Sequence, residues 1–272
     1  PGPLVVAVIV PITNQCLMGN SFSFDGSSST INLGSITSYS WDFGDGSTGS
    51  GATTSYSYGA SGTYTVTLTV SDGTCTDQTT QNITIFDMPT VVASGTPVTC
   101  FGDNDGTTDA TGSGTSGYSY DWDIPATGAS QSGLGLGTYT VTVTDVNGCT
   151  ASDNYEVTEP PALVITVVGV DNTCNGSPCD GSATTTVVGG SGSYSYQWDD
   201  PGLSTTANLT GLCESTYDLT VTDANGCETT YSVTIDEPSA IVVLAAQTDA
   251  NCGASDGTVS VTSTTGGSGT YV

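Results

Sequence analysis

The chain repeats itself. GTYTVTVTDVNGC (Gly137 to Cys149) returns 78 residues later as STYDLTVTDANGC (Ser215 to Cys227), and SGYSYDW (Ser116 to Trp122) returns as GSYSYQW (Gly192 to Trp198). VTCFGDNDG (Val98 to Gly106) is echoed by NTCNGSPCDG (Asn172 to Gly181) and by ANCGASDG (Ala250 to Gly257). Self-similarity at a nearly fixed spacing means one supersecondary unit used several times over, which restricts the fold more than any single motif. The last copy reaches only GGSGTYV, where the third runs on as GSGSYSYQW, so the final repeat is expected to be partial. The first eighty-odd residues are a divergent relative. YSWDFGDG (Tyr39 to Gly46) stands at the Tyr-x-Trp position and GTYTVTLTVSDGTC (Gly62 to Cys75) at the Tyr-strand-Cys position.

Each copy opens on a proline followed by an apolar run: Pro3-LVVAV, Pro89-TVVA, Pro161-ALVITVV and Pro238-SAIVVL. Proline at the first residue of a strand loses no ladder hydrogen bond and stiffens the junction. The expected domains are therefore 1–88, 89–160, 161–238 and a truncated 239–272, joined by very short linkers. TYTVTLTV and TYTVTVTD alternate polar and apolar residues with period two and are rich in Thr, Val and Tyr, the signature of half-buried strands. Glycine-rich turns recur about every ten residues and no segment has helical periodicity. The fold class that follows is all-β, with tandem immunoglobulin-like antiparallel β-sandwiches of roughly seven short strands each, strung into an elongated rod.

Charge narrows the function. The 272 residues contain 27 acidic side chains, no Lys, no Arg and no His, for a formal charge of −27. Nucleic-acid binding needs basic side chains on phosphates, and an anionic membrane surface would repel this chain. Ser-His-Asp and Cys-His catalysis, His-ligated zinc, phosphate-loop lysines and Schiff bases are all impossible without those residue types. Only carboxylate-pair chemistry, as in glycosidases, survives. A large net charge keeps an exposed protein soluble, and a surface without Lys or Arg also offers trypsin-type proteases nothing to cut. No apolar run approaches the ~18 residues of a membrane span, so no membrane insertion is expected. The chain reads as an excerpt of a longer mature secreted protein.

Nine cysteines point to an oxidising compartment. Each repeat has one Cys near its first strand and another after its Tyr-strand, which proposes Cys16–Cys75, Cys100–Cys149 and Cys174–Cys227. Cys179 and Cys213 then remain within the third repeat and pair with each other. Cys252 is left with a partner expected beyond the chain end, the alternative being a reactive thiol.

YSWDFGDGS followed by YSYGASGTYTVTLTVSDG resembles a PKD domain, over about residues 3–88. CFGDNDG, YSYDW and GTYTVTVTDVNGC resemble the SprB repeats of Bacteroidota gliding-motility adhesins, over roughly 89–272. The resemblance implies an immunoglobulin-like sandwich followed by repeats of a long cell-surface or filament protein, exported by the type IX secretion system.

Several residues are candidates for chemistry. Asp42 and Asp45 could be an acid pair or simply turn residues beside Gly44 and Gly46. Trp41 persists as Trp122 and Trp198 while the following acids drift into WDIPATG and WDDPG, which favours the turn. Asp103, Asp105 and Asp109 in FGDNDGTTD are calcium-ligand candidates without EF-hand spacing, and a glycine turn is the competing reading. Asp145 and Asp223 precede Asn-Gly pairs typical of hairpins. Tyr118/Tyr120 and Tyr194/Tyr196 share a face with Trp122 and Trp198, which reads as core rather than sugar platform. Asn82 and Asn208 fit the N-glycosylation pattern. The expected function is a non-catalytic structural or adhesive segment, with no cofactor beyond the calcium candidate, and with self-association or surface glycans as partners. The alternatives are an accessory polysaccharide-binding region of a secreted hydrolase and a calcium-rigidified rod.

Overall fold

The computed structural model describes residues 4–176, 179–268 and 270. Pro3, Ser177, Pro178, Gly269, Tyr271 and Val272, which belong to the repeat pattern, lie outside the described residues. Every regular element among the described residues is a β-strand. The chain forms two compact units, residues 1–96 with 107–157, and residues 97–106 with 158–272. The ten-residue loop of the second repeat thus packs with the repeat that follows it.

In the first unit, a five-stranded sheet is ordered Gln15–Cys16, Thr76–Phe86, Gly62–Ser71, Ser38–Asp42, Thr48–Ser50. Two antiparallel ribbons accompany it, Val5–Val6 with Ile31 and Thr30, and Phe22–Asp25 with Thr53–Tyr56. Alternation does the sorting. In Gly62–Ser71, Val66, Leu68 and Val70 are buried while the threonines between them are not. They meet Phe22, Phe24, Trp41, Phe43, Ile83 and Ile85 in one cluster. Phe24 packs on Trp41 with ring centroids 5.6 Å apart, and Phe43 stacks on Tyr56 at 4.1 Å. Fully burying each such side chain contributes about 1.5–3 kcal/mol.

The remaining strands of this unit form two three-stranded sheets. One is ordered Ser119–Trp122, Gly137–Thr144, Thr150–Val157, the other Thr90–Thr96, Gly106–Ser113, Ser130–Leu134. The second unit repeats the plan with Ser195–Trp198, Ser215–Thr222, Glu228–Ile235 and with Val164–Val170, Gly181–Val188, Leu209–Leu212. Its last element is a single ribbon, Val242–Thr248 against Thr258–Thr265.

The recurring tryptophan is the keystone. Trp41 faces Leu68, Trp122 faces Val141 and Trp198 faces Leu219 in the same cross-strand register. Each indole Nε1 donates to a backbone carbonyl, of Gly51 at 3.0 Å, Gly128 at 2.9 Å and Thr206 at 3.0 Å. Burying the ring while satisfying its one donor explains why this position persists while its neighbours vary.

Three of the four expected disulfides are replaced. The structure joins Cys16 to Cys149 and Cys100 to Cys227, with Cys179 joined to Cys213. Among the described residues Cys75, Cys174 and Cys252 form no disulfide. The pairings Cys16–Cys75, Cys100–Cys149 and Cys174–Cys227 fail because the two cysteines of one repeat sit at opposite ends of its strands. Cys16 lies beside Phe86, and Cys75 precedes Thr76, so the whole strand Thr76–Phe86 separates them. At 3.3 Å per residue that is about 33 Å, against the ~4.4–6.8 Å that a disulfide spans between Cα atoms. In the third repeat Gly181–Val188 starts at the loop of Cys174, and the next residues reach the hairpin of Cys227, where Ser191 N donates to Asp223 Oδ2.

Candidate functional site

The chemistry of this chain is concentrated in hairpin and loop cysteines and the aspartates that hold them. Each Tyr-strand ends in a hairpin whose aspartate folds back onto the cysteine. Asp72 Oδ1 accepts Cys75 N at 2.7 Å, Asp145 Oδ1 accepts Cys149 N at 2.9 Å, and Asp223 Oδ1 accepts Cys227 N at 2.9 Å. The same oxygens accept Thr74 N, Asn147 N and Asn225 N. An aspartate that gathers successive backbone N–H groups is an Asx-type brace, and it fixes the direction in which the cysteine projects. The backbone bonds of Cys75 and Thr74 hold the Asp72 carboxyl below its ordinary range. Asp145 Oδ2 is buried without a partner, whereas Asp223 Oδ2 receives Ser191 N at 2.8 Å.

The receiving cysteine of the second unit, Cys100, sits in a frame of its own. Around Cys100, Thr99 N donates to Asp105 Oδ1 at 2.8 Å, Gly102 N to Glu159 Oε2 at 3.0 Å, and Val98 N to Thr158 O at 3.0 Å. Across the staple, Asn225 Nδ2 donates to Thr99 O at 2.9 Å. The disulfide is thus seated by hydrogen bonds on both of its sides, with the Cα atoms 5.6 Å apart.

The other candidates take structural places. Asp42 Oδ1 accepts Gly44 N at 2.8 Å, and Asp45 accepts Ser47 N at 2.9 Å and the Tyr56 hydroxyl at 2.6 Å. Both acids are turn braces, and the Tyr56 hydroxyl lowers the Asp45 carboxyl rather than raising it as a general acid requires. Gly44 adopts φ +82°, and a Cβ there would stand 2.6 Å from Thr65 O. Among the described residues no three carboxylates or cysteines converge on a point that could hold a metal ion. Asp105 braces its loop, and Asp109 accepts the Ser130 hydroxyl at 2.5 Å. Asp103 is exposed, its N–H donating to Cys100 O. Tyr120, Tyr194 and Tyr196 are half-buried against the cores; Tyr194 OH donates to Gly189 O, and Tyr120 OH accepts Gly112 N. Asn82 and Asn208 are tied by their side-chain oxygens to Thr65 Oγ1 and Thr185 N.

Sheets, tryptophan register and hairpin braces recur in the order read from the sequence, and sequence comparison assigns the modules. The chain carries a PKD domain at residues 6–86 and a SprB repeat at residues 166–203. No curated protein is similar enough in sequence to count as a relative. Solved structures that it resembles include immunoglobulin domains 1–5 of Sidekick-1, at 11% identity and TM-score 0.31, covering 86% of this chain and 59% of that one. The titin I-band fragment I67–I69 has 12% identity and TM-score 0.40 over 86% of this chain and 97% of the fragment. The three N-terminal domains of the bacteriophage RB49 outer capsid protein Hoc have 14% identity and TM-score 0.35 over 86% and 99%. The all-β, immunoglobulin-like assignment stands on the strand pairing and core of this chain itself.

Missed in the sequence was the direction of pairing. The strands that hold the loop and hairpin cysteines of one repeat apart, such as Thr76–Phe86 between Cys16 and Cys75, are what set that direction.

Proposed function

We propose that this chain is a non-catalytic structural or adhesive segment of a large extracellular protein of the gliding-adhesin kind, exported by type IX secretion. PKD and SprB modules and disulfide-seated repeats support an extracellular structural or adhesive role. The observation that carries the reading is the staple from one repeat to the next. Cys16–Cys149 lies within the first compact unit and Cys100–Cys227 within the second, and each ties segments of two successive repeats together, which suits a segment that bears load. The acidic surface with no Lys or Arg suits exposure to proteases and to solvent. The glycan-binding alternative needs open aromatic rows, whereas Tyr120, Tyr194 and Tyr196 pack on the cores.

Antibodies raised against this chain, applied to intact cells of the source, test the reading. Labelling of unpermeabilised cells, together with loss of surface attachment when the parent gene is deleted, is the expected result. Labelling only after lysis, or glycoside hydrolysis by the purified chain, would sink it.

A further inference from the structure

The frame around Cys174 repeats that around Cys100 bond for bond. Thr173 N donates to Asp180 Oδ1 at 2.9 Å, Gly176 N to Glu237 Oε2 at 2.8 Å, and Asn172 N to Asp236 O at 2.9 Å. Cys100 in this frame is bonded to a hairpin cysteine of the next repeat; Cys174 is exposed and in no disulfide. The cleft beside each is built alike as well. At Cys100 a cavity of about 450 Å³ is walled by Ala162 and Leu163 at the start of the next ribbon and by the hairpin from Gly226 to Thr229. At Cys174 a cavity of about 550 Å³ is walled by Ala240, Ile241 and Gly267 beside the ribbon that follows, and no hairpin among the described residues lines it.

The ribbon itself is set for a second sheet. Gly190 N donates to Pro161 O in the third repeat, and Gly267 N donates to Ser239 O in the fourth. A Cβ on Gly189 would strike Ala162 O, and one on Gly266 would strike Ala240 O, each at 1.9 Å. The turn that leads into the Tyr-x-Trp strand is therefore already formed in the fourth repeat. The apolar face that such a sheet covers is open: Ile165 is 8% exposed, while its counterpart Val243 is 53% exposed.

We propose that Cys174 and the cleft beside it are one half of a further staple. The other half is the hairpin cysteine of a three-stranded half-repeat of the Tyr-x-Trp, Thr-Tyr-x-Leu, Asp-x-Asn-Gly-Cys type, continuing the same polypeptide from the ribbon 242–265. The half-repeat covers the open apolar face, and its hairpin supplies the wall and the thiol. The bond forms by two exchanges. The hairpin thiolate attacks a small-molecule disulfide such as glutathione disulfide, releasing one glutathione thiolate and leaving a mixed disulfide. The Cys174 thiolate then attacks the protein sulfur of that bond and releases the second. Two protein thiols lose two protons and two electrons, and one disulfide oxidant becomes two thiols. The proposal stands on staple geometry and is independent of the adhesive role.

The test extends the chain after Val272 with a second copy of residues 196–237, carrying Cys213→Ser in that copy, and oxidises it in a glutathione redox buffer. Labelling with N-ethylmaleimide, peptic digestion without reduction and mass spectrometry follow. The expected result is a peptide linking Cys174 to the added hairpin cysteine, with Cys174 labelling about tenfold below that of the unextended chain and Cys75 labelling unchanged. Linkage of Cys174 to Cys75, to Cys252 or to a second chain overturns the proposal, as does full Cys174 labelling when the added half has a cooperative urea transition. Should the added half not fold, disulfide mapping of the natural protein isolated from its source decides: Cys174 linked to an Asp-x-Asn-Gly-Cys peptide supports the proposal, and any other partner, or none, overturns it.

Discussion

Cys100 and Cys227 are 127 residues apart in sequence and 5.6 Å apart at Cα. Their bond joins the loop of one repeat to the hairpin of the next, as Cys16–Cys149 does one repeat earlier. Each bond lies within one compact unit, so its loss should be read in the stability of that unit.

In the chain-entropy model, closing loops of this length stabilises by about 5 kcal/mol each. Cys227→Ser should lower the thermal midpoint by more than ten degrees, and Cys16→Ser should do the same for the first unit. Cys75→Ser should leave both transitions where they are. Calorimetry of the three variants, with and without reductant, separates these outcomes; equal loss from Cys75→Ser would refute the pairing.

Trp198 is buried, faces Leu219 across the strands and donates its Nε1 to Thr206 O at 3.0 Å. Trp198→Ala should cost about 3–5 kcal/mol through the cavity it leaves. Trp198→Phe should cost less, because it keeps ring volume but strands the Thr206 carbonyl. Urea midpoints at constant slope measure both.

Gly44→Ala puts a methyl against Thr65 O, 2.6 Å away, at φ +82°. Destabilisation of about 1–3 kcal/mol is expected from the left-handed backbone alone, with more from the clash. Gly46 has φ +91° but open space around it, so Gly46→Ala should be the milder change. The order of the two denaturation midpoints checks this.

Acid should loosen the cysteine loops. Asp105 and Asp180 are held below the ordinary carboxylate value of 3.8 by the side chain and then the amide of Thr99 and Thr173, and Asp256 by the amide and then the side chain of Asn251. A carboxyl with a lowered folded value contributes stability that is fully present above 3.8 and is lost as pH falls through the folded value. Between pH 7 and about 4.5 the opposite influence acts, since neutralising part of the −27 charge relieves self-repulsion. Stability should therefore rise gently on mild acidification and drop below pH 3.8. Added salt at pH 7 should raise the midpoint, because there are only like charges to screen. A monotonic fall from pH 7, or a lower midpoint at 0.5 M salt, would contradict this account.

Much of the fold was legible because it is local. Period-two alternation in GTYTVTLTV decides which residues face inward, and Trp41, Trp122 and Trp198 mark one register because a buried indole needs both volume and a carbonyl. The turn roles of Asp42, Asp45, Asp145 and Asp223 were readable for a similar reason, since an aspartate two residues before an N–H makes the same brace wherever it occurs. Asp105 was open to misreading as a ligand, because whether a loop carboxylate faces an ion or its own Thr99 is a matter of three-dimensional closure.

By itself the sequence determined the strands, the repeated sandwich and the positions of the cysteines, because period, turn chemistry and self-similarity are properties of neighbouring residues. Only the tertiary structure decided which cysteine meets which. Cys16 and Cys75 share a repeat but are held apart by the full length of Thr76–Phe86. Cys149 arrives from the next repeat within 5.6 Å of Cys16. A strand is a rigid spacer about 3.3 Å long per residue, so residues at its two ends bond to different neighbours, and no count of cysteines per repeat can reveal that.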